Sequence, residues 1–129
     1  MDHTPGFLRF VDARRNNIDE VTVDDARRAL AEHSEAMLID VREDREFEAA
    51  HAAGAEHIGK GVIERDIERL VPDKDRPLYL YCGGGFRSIL AASSLQEMGY
   101  TNVHSIIGGW RGWQEAGAPV ESNTPENPS

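Results

Sequence analysis

The alternation of apolar and polar residues divides the chain into short strands separated by helices. Continuous apolar runs at 36–41 and 77–82 are typical of strands buried in a parallel sheet, and 102–107 has a similar character. Apolar residues at helical spacing occur at 25–33 and 87–98. This order predicts an α/β fold with three layers, in which a central parallel sheet of about five strands is flanked by helices on both faces.

The two ends of the chain differ from this central part. Residues 1–19 mix apolar and charged side chains, and they predict an N-terminal extension that contains a short helix. Residues 20–120 hold the predicted strands and have the length of one folded domain. Residues 121–129 are polar and include two prolines, which predicts a disordered tail.

Composition and charge exclude several classes of function. The 129 residues carry a net charge of −9, whereas nucleic acids and anionic membranes are bound by clustered Lys and Arg. No apolar stretch approaches the ~20 residues of a membrane span, and the N-terminus lacks the apolar core of a signal peptide. We therefore expect a cytoplasmic protein that binds neither nucleic acid nor membrane.

The single cysteine, Cys82, lies where reactive chemistry is expected. It ends the strand at 77–82, and parallel α/β sheets bind ligands at the carboxyl ends of their strands. Glycines after it let the backbone turn its N–H groups inward, and the next helix directs its positive end to the same point. The sequence therefore predicts an anion cradle that favours a thiolate or a persulfide anion. The alternative is a buried, inert cysteine followed by a glycine turn. The candidate anion-binding residues are Gly83, Gly84, Gly85, Phe86, Arg87 and Ser88.

Four segments, in this order and at these separations, resemble the signature segments of the rhodanese-like sulfurtransferases. Together they extend over about 20–119, which is nearly all of the predicted domain. The segments are Leu38-Ile-Asp-Val-Arg-Glu43 with Glu46-Phe47, His51-Ala-Ala-Gly-Ala-Glu-His-Ile58, the strand and loop Leu78–Ser88, and Gly108-Gly-Trp110 with Trp113.

The resemblance implies a sulfurtransferase with Cys82 as its catalytic residue. Cys82 would take a sulfane sulfur from a donor, hold it as a persulfide and pass it to a thiophilic acceptor, in two covalent steps. The backbone N–H groups of 83–88 would stabilise the transferred sulfur, and neither a metal nor an organic cofactor is implied. The implied donor is thiosulfate or a persulfide, and the implied acceptor is cyanide, a thiol or a partner protein. An alternative is a persulfide carrier that delivers sulfur to a partner protein with little turnover of its own.

The length of the loop separates sulfur transfer from a related chemistry. Cys82 and Arg87 have four residues between them. The phosphatases that resemble rhodaneses have a longer loop, because theirs wraps a tetrahedral phosphoryl group. The shorter loop therefore favours sulfur transfer. Since its glycines offer no side chain to a dianion, we expect weak activity with thiosulfate and a persulfide as the true donor.

Asp40 and Arg42 lie at the carboxyl end of the predicted strand at 36–41 and are the remaining candidates for the site. The resemblance brings Arg42 close to the rim of the pocket, where the pair would contact substrate. An ion pair or capping network under the edge of the sheet explains the same residues equally well. Glu46 is expected to pair with Arg42.

Overall fold

The central sheet has five parallel strands, and helices cover both of its faces, as the sequence predicts. A computed structural model describes residues 3–122. Its strands are β1 (Asp19–Val21), β2 (Met37–Asp40), β3 (Ala50–Ala52), β4 (Glu56–His57), β5 (Leu78–Tyr81), β6 (Val103–Ile106) and β7 (Val120–Ser122). The helices in this described range are α1 (Pro5–Arg15), α2 (Val23–Glu32), α3 (Asp44–Ala49), α4 (Ile63–Leu70), α5 (Arg87–Glu97) and α6 (Gly109–Glu115).

The sheet places β5 at its centre. The strand order is β1-β6-β5-β2-β4, and every neighbouring pair is parallel. All five carboxyl ends therefore lie at one edge, where the loop after β5 begins. Local sequence sets the helix starts: the Thr22 hydroxyl accepts the Asp25 N–H at 3.0 Å at the start of α2.

Side chains of β5 alternate between two cores on opposite faces of the sheet. Leu78, Leu80 and the following Cys82 belong to the core covered by α1, α4 and α5. Tyr79 and Tyr81 belong to the core covered by α2 and α6. This alternation decides which residues can share a pocket with Cys82.

A second, small sheet lies outside the predicted elements. β3 pairs with β7 in antiparallel fashion, with His51 opposite Glu121. The prediction of a disordered tail from residue 121 is therefore wrong for Glu121 and Ser122. Both residues belong to β7, and the main chain of β3 offers them hydrogen-bond partners. The rest of that tail lies outside the described residues.

The N-terminal extension is a helix packed on the domain. Thr4 caps the start of helix α1: its hydroxyl accepts the Phe7 N–H, and Pro5 is the first residue of the helix. Val11 is fully buried in the same core as Cys82, and α1 packs against α5. Within residues 3–122, no helix is both long and apolar enough to cross a membrane.

Candidate active site

Cys82 lies where the central strand ends and the glycine loop begins. Neighbouring strands hold β5 on both sides, and Cys82 is 1% exposed at the foot of the loop. Its side chain points to the face that α5 covers, so that the start of this helix lies directly beyond the sulfur. The chain thus presents the thiol at the carboxyl edge of a rigid sheet.

Two polar groups contact the sulfur. The N–H of Gly85 donates a hydrogen bond to Cys82 Sγ at 3.1 Å, and the hydroxyl of Ser88 lies 3.6 Å from the same atom. The Ser88 hydroxyl also forms a 2.7 Å hydrogen bond with that of Ser105, and both serines are buried. A sulfur anion at this position can accept from both Gly85 and Ser88.

Other donors of the loop remain unused. Within the described chain, the N–H groups of Gly83, Gly84 and Phe86 donate to no protein acceptor. Gly85 has a φ of +102°, a conformation that favours glycine and brings its own N–H to the sulfur. Unpaired backbone donors beside a buried sulfur suit an anion attached to that sulfur.

Helix α6 fixes the loop from behind. The Trp110 N–H donates to the Cys82 carbonyl at 2.6 Å, and the Arg111 N–H donates to the Gly83 carbonyl at 3.2 Å. Gly109 has a φ of +52°, and a Cβ atom there would overlap the Cys82 carbonyl. The close approach of α6 to the loop therefore requires glycine at this position, which gives the Gly-Gly-Trp segment its physical meaning.

Arg87, the cation of the loop, is paired with Glu46. Its Nη1 atom lies 3.3 Å from Glu46 Oε1. Burial opposes the charge of both groups, but their hydrogen bond and mutual attraction raise the pKa of Arg87 and lower the pKa of Glu46. The N–H of Glu43 also donates to Glu46 Oε1, at 3.0 Å. The hydrogen-bonded partner of Glu46 is Arg87, whereas Arg42, the predicted partner, acts on Glu46 through charge attraction alone, which also lowers the pKa of Glu46.

A pocket of about 420 Å³ opens above Cys82. Its lining includes two acidic and two basic residues, whose formal charges cancel, and three aromatic rings. The charged residues are Glu43, Arg45, Glu46 and Arg87, and the aromatic residues are His3, Phe7 and Phe86. A second pocket of about 560 Å³, near Leu38 and Leu70, contains none of the candidate residues.

Asp40 and Arg42 form a buried ion pair away from this pocket. Arg42 Nη2 donates to Asp40 Oδ2 at 2.8 Å, and the Tyr81 hydroxyl donates to the same oxygen at 2.6 Å. Burial disfavours the charge of Arg42, but the carboxylate of Asp40 outweighs it and raises the pKa of Arg42. Arg42 is 3% exposed and lies against Trp110, in the layer of Tyr81. The alternation along the strands puts the pair on the face opposite Cys82, and its contacts are those of the ion-pair interpretation.

Sequence reasoning missed several residues near the sulfur. Ser105 lies on a different strand from Cys82, and His3 and Phe7 precede the predicted domain. The spacing of Phe7 and Val11 gave a signal for one apolar helix face, but it did not say what that face would cover.

Comparisons with known proteins agree with this arrangement. Residues 22–116 match the family model of the rhodanese-like domain. A thiosulfate sulfurtransferase, GlpE, from Actinobacillus succinogenes is 39% identical over 87 residues, which cover 67% of this chain and 77% of that protein.

Solved structures share the fold over almost the whole chain. A protein of unknown function from Rhodopseudomonas palustris, described as a possible tyrosine phosphatase, is 30% identical with a TM-score of 0.79 and covers 94% of this chain and 98% of its own. The polysulfide-sulfur transferase homodimer of Wolinella succinogenes is 26% identical with a TM-score of 0.80 and covers 95% of this chain and 91% of its own. The chain therefore belongs to the rhodanese-like domain family of sulfurtransferases.

Proposed function

We propose that the protein transfers a sulfane sulfur through a persulfide on Cys82. The observation that carries this proposal is the pairing of the Gly85 N–H with Cys82 Sγ in a loop whose other N–H groups have no acceptor in the described chain. Such a loop binds negative charge on a second sulfur without needing any side chain.

The two steps balance without a cofactor. The Cys82 thiolate attacks the outer sulfur of thiosulfate, a new S–S bond forms, and the old S–S bond breaks as its electron pair leaves with sulfite. Cyanide then attacks the outer sulfur of the persulfide, thiocyanate leaves, and the thiolate is restored. A thiol acceptor attacks in the same way and loses its proton to solvent. Kinetics of the ping-pong type follow from this sequence.

The charges that line the pocket are poorly suited to bind free thiosulfate. The pocket's only loop cation, Arg87, is already paired with Glu46, and its charged residues sum to zero. A monoanionic or neutral persulfide faces a smaller desolvation cost there than a dianion does. We therefore propose a persulfide as the preferred donor, with a thiol or a protein as acceptor, in the reducing environment of the cytoplasm where the free thiol persists.

Phosphoryl transfer is the rival chemistry, because one structural neighbour is described as a possible tyrosine phosphatase. Four residues separate Cys82 from Arg87, and this short loop supports the capture of one sulfur atom. Hydrolysis of an aryl phosphate that depends on Cys82 would overturn the proposal.

Intact-mass measurement tests the persulfide directly. The protein is incubated with thiosulfate or with glutathione persulfide, desalted and weighed, with Cys82→Ser as the control. We expect a gain of one sulfur atom that cyanide removes as thiocyanate, and no gain in Cys82→Ser. No gain with either donor would refute the mechanism. A stable gain with negligible thiocyanate turnover would instead identify a persulfide carrier.

A further inference from the structure

The N-terminal segment reaches the active-site loop through one row of side chains. Phe7, Val11 and Arg15 are spaced four residues apart in α1, which aligns them along one face of the helix, and His3 precedes the helix at the same spacing. Val11 is fully buried and anchors this face on the domain. The match to the family model begins only at residue 22, so the row is an addition to the matched domain.

Three members of this row contact a single loop side chain, Phe86. The ring centroids of His3 and Phe7 lie 4.7 Å and 6.3 Å from that of Phe86, both in edge-on arrangements. The guanidinium of Arg15 lies 5.6 Å from the centre of the same ring. His3 and Phe7 also contact each other, with centroids 5.1 Å apart. The rings of His3, Phe7 and Phe86 thus form a continuous aromatic wall of the pocket above Cys82.

The charged side chains that line the same pocket have charges that cancel. A donor whose outer sulfur reaches Cys82 must leave the remainder of its body in this pocket, beside the aromatic wall. Aromatic rings bind apolar groups and give little to the oxygens of a dianion. The aromatic wall is therefore suited to bind a donor with an apolar group beside its sulfur.

We propose that the aromatic wall binds the organic group of the sulfur donor and sets the preference of the enzyme for apolar organic donors. The donor class is a persulfide or thiosulfonate that carries an aryl or similar apolar group and no more than one negative charge. This inference rests on the proposed function, and it gives α1 the role of completing the substrate pocket.

Two thiosulfonates isolate the contribution of the wall. Benzenethiosulfonate and methanethiosulfonate both carry one negative charge, and in both the Cys82 thiolate takes the outer sulfur while a sulfinate leaves with the electron pair. In ping-pong kinetics kcat/KM for the donor is independent of the acceptor, so thiocyanate formation at fixed cyanide measures it. The aryl-to-methyl ratio of kcat/KM is compared among variants, and the intrinsic reactivities of the two donors then cancel.

The chain offers a matched control on the same helix. Phe7→Ala removes a ring of the aromatic wall, whereas Phe10→Ala removes a ring that is 49% exposed and lies under Arg14, outside the pocket. We expect the wild-type protein to prefer the aryl donor by roughly tenfold, as burial of part of a phenyl ring implies. We expect Phe7→Ala to lower the ratio about three- to fivefold and Phe10→Ala to leave it unchanged.

A second variant keeps the test decisive if Phe7→Ala does not fold. His3 is exposed, so that His3→Ala removes the outer ring without disturbing the core, and we expect it to lower the ratio about twofold. A ratio unchanged in every folded wall variant would overturn the inference. If Cys82 still gains sulfur in that case, the proposed function stands. If Cys82 gains sulfur from no donor, the proposed function is refuted, and the inference that rests on it is refuted as well.

Discussion

The hydroxyl of Ser105 lies 2.7 Å from that of Ser88, which in turn lies 3.6 Å from the sulfur of Cys82. Both serines are buried, and within the described chain neither hydroxyl has a further hydrogen-bond partner. When Cys82 is a thiol, Cys82, Ser88 and Ser105 each have one hydrogen to donate. Only two contacts join the three side chains, so one of these hydrogens has no acceptor among them. An anionic sulfur removes this mismatch, because Ser105 then donates to Ser88 and Ser88 donates to the sulfur. The pair of serines is thus matched to an anion on Cys82.

Ser105→Ala tests this relationship without altering any group that contacts the sulfur. The Ser88 hydroxyl loses the donor that orients it, and a hydrogen bond of this kind contributes about 1 kcal/mol. We expect kcat/KM for the sulfur donor to fall about three- to tenfold. Ser93→Ala serves as the control, since Ser93 is on α5 with Ser88 but lines a different surface near Ala13 and Gln96. Equal activities of the two variants would show that Ser105 does not act on the site.

Gly109→Ala tests whether the approach of α6 holds the active-site loop in place. The added Cβ would overlap the carbonyl of Cys82 and lie 3.1 Å from the carbonyl carbon of Gly83, which are backbone atoms that cannot rotate away. Gly117 also has a positive φ, +70°, but a Cβ there meets nothing within 4 Å. Gly117→Ala therefore measures the strain of the left-handed conformation alone, which costs about 1–2 kcal/mol.

We expect Gly109→Ala to lower the free energy of unfolding in urea by about 1–3 kcal/mol more than Gly117→Ala does. We also expect it to abolish most sulfur transfer in the protein that remains folded, because the loop must shift. If the two alanine variants were equally stable and equally active, the contact between α6 and the loop would have no role.

The sequence was sufficient to predict the succession of strands and helices along the chain and the location of Cys82 at the end of a strand. Strand β5 and the loop after it are neighbours in sequence, so a local apolar run and its glycines indicate their geometry. The two-residue alternation along β2 and β5 places Asp40 on the face opposite Cys82 only once the register, with Asp40 beside Tyr81, is known. Without this register, the prediction for Arg42 rested on its resemblance to a rim residue.

The contacts that shape the pocket could not be predicted in the same way. Glu46 and Arg87 are 41 positions apart, and the pairing of β3 with β7 joins His51 to Glu121 across 70. Such contacts depend on the packing of elements, and a strand of three residues leaves almost no periodic signal. The N-terminal helix was predicted, but its contact with Phe86 arises from tertiary packing, with Val11 buried in the core.

Glu46→Gln tests whether the ion pair suppresses activity with thiosulfate. The amide oxygen of Gln can still accept the Glu43 N–H, so that the start of α3 is retained, but Arg87 loses its counter-charge. We expect kcat/KM for thiosulfate to rise about three- to tenfold at low salt, because a free guanidinium attracts a dianion. Added salt should reduce the gain through screening.

Glu48→Gln is the control for this change of charge. Glu48 lies on the same helix, is exposed and is absent from the pocket lining, so it changes the net charge equally. An equal rise in both variants would mean that the overall charge of the protein governs thiosulfate binding. No rise in Glu46→Gln would mean that the pairing of Arg87 does not limit it.

Tyr81→Phe tests the buried network beneath the sheet edge. The Tyr81 hydroxyl donates to Asp40 Oδ2 at 2.6 Å and accepts the Ala52 N–H at 3.0 Å. Its loss leaves a buried carboxylate and a buried N–H each short of a partner, so we expect the free energy of unfolding near neutral pH to fall by about 2–3 kcal/mol. Tyr79→Phe on the same strand removes a hydroxyl without a hydrogen bond in the described chain and should change stability little at neutral pH.

Comparison of the wild-type protein with Tyr81→Phe also gives a test that depends on pH. Burial and the adjacent Asp40 carboxylate raise the pKa of Tyr81 far above its ordinary value of 10.0. Because the folded state holds this proton more tightly than the unfolded state, the stability that Tyr81 contributes is complete below pH 10 and declines as the pH rises above it. Urea unfolding at about pH 8 and about pH 11 should therefore show that wild-type protein loses more stability than Tyr81→Phe. Other tyrosines titrate in both proteins, so the difference between them isolates Tyr81. A parallel decline would show that the Tyr81 proton is no better held in the folded state than in the unfolded chain.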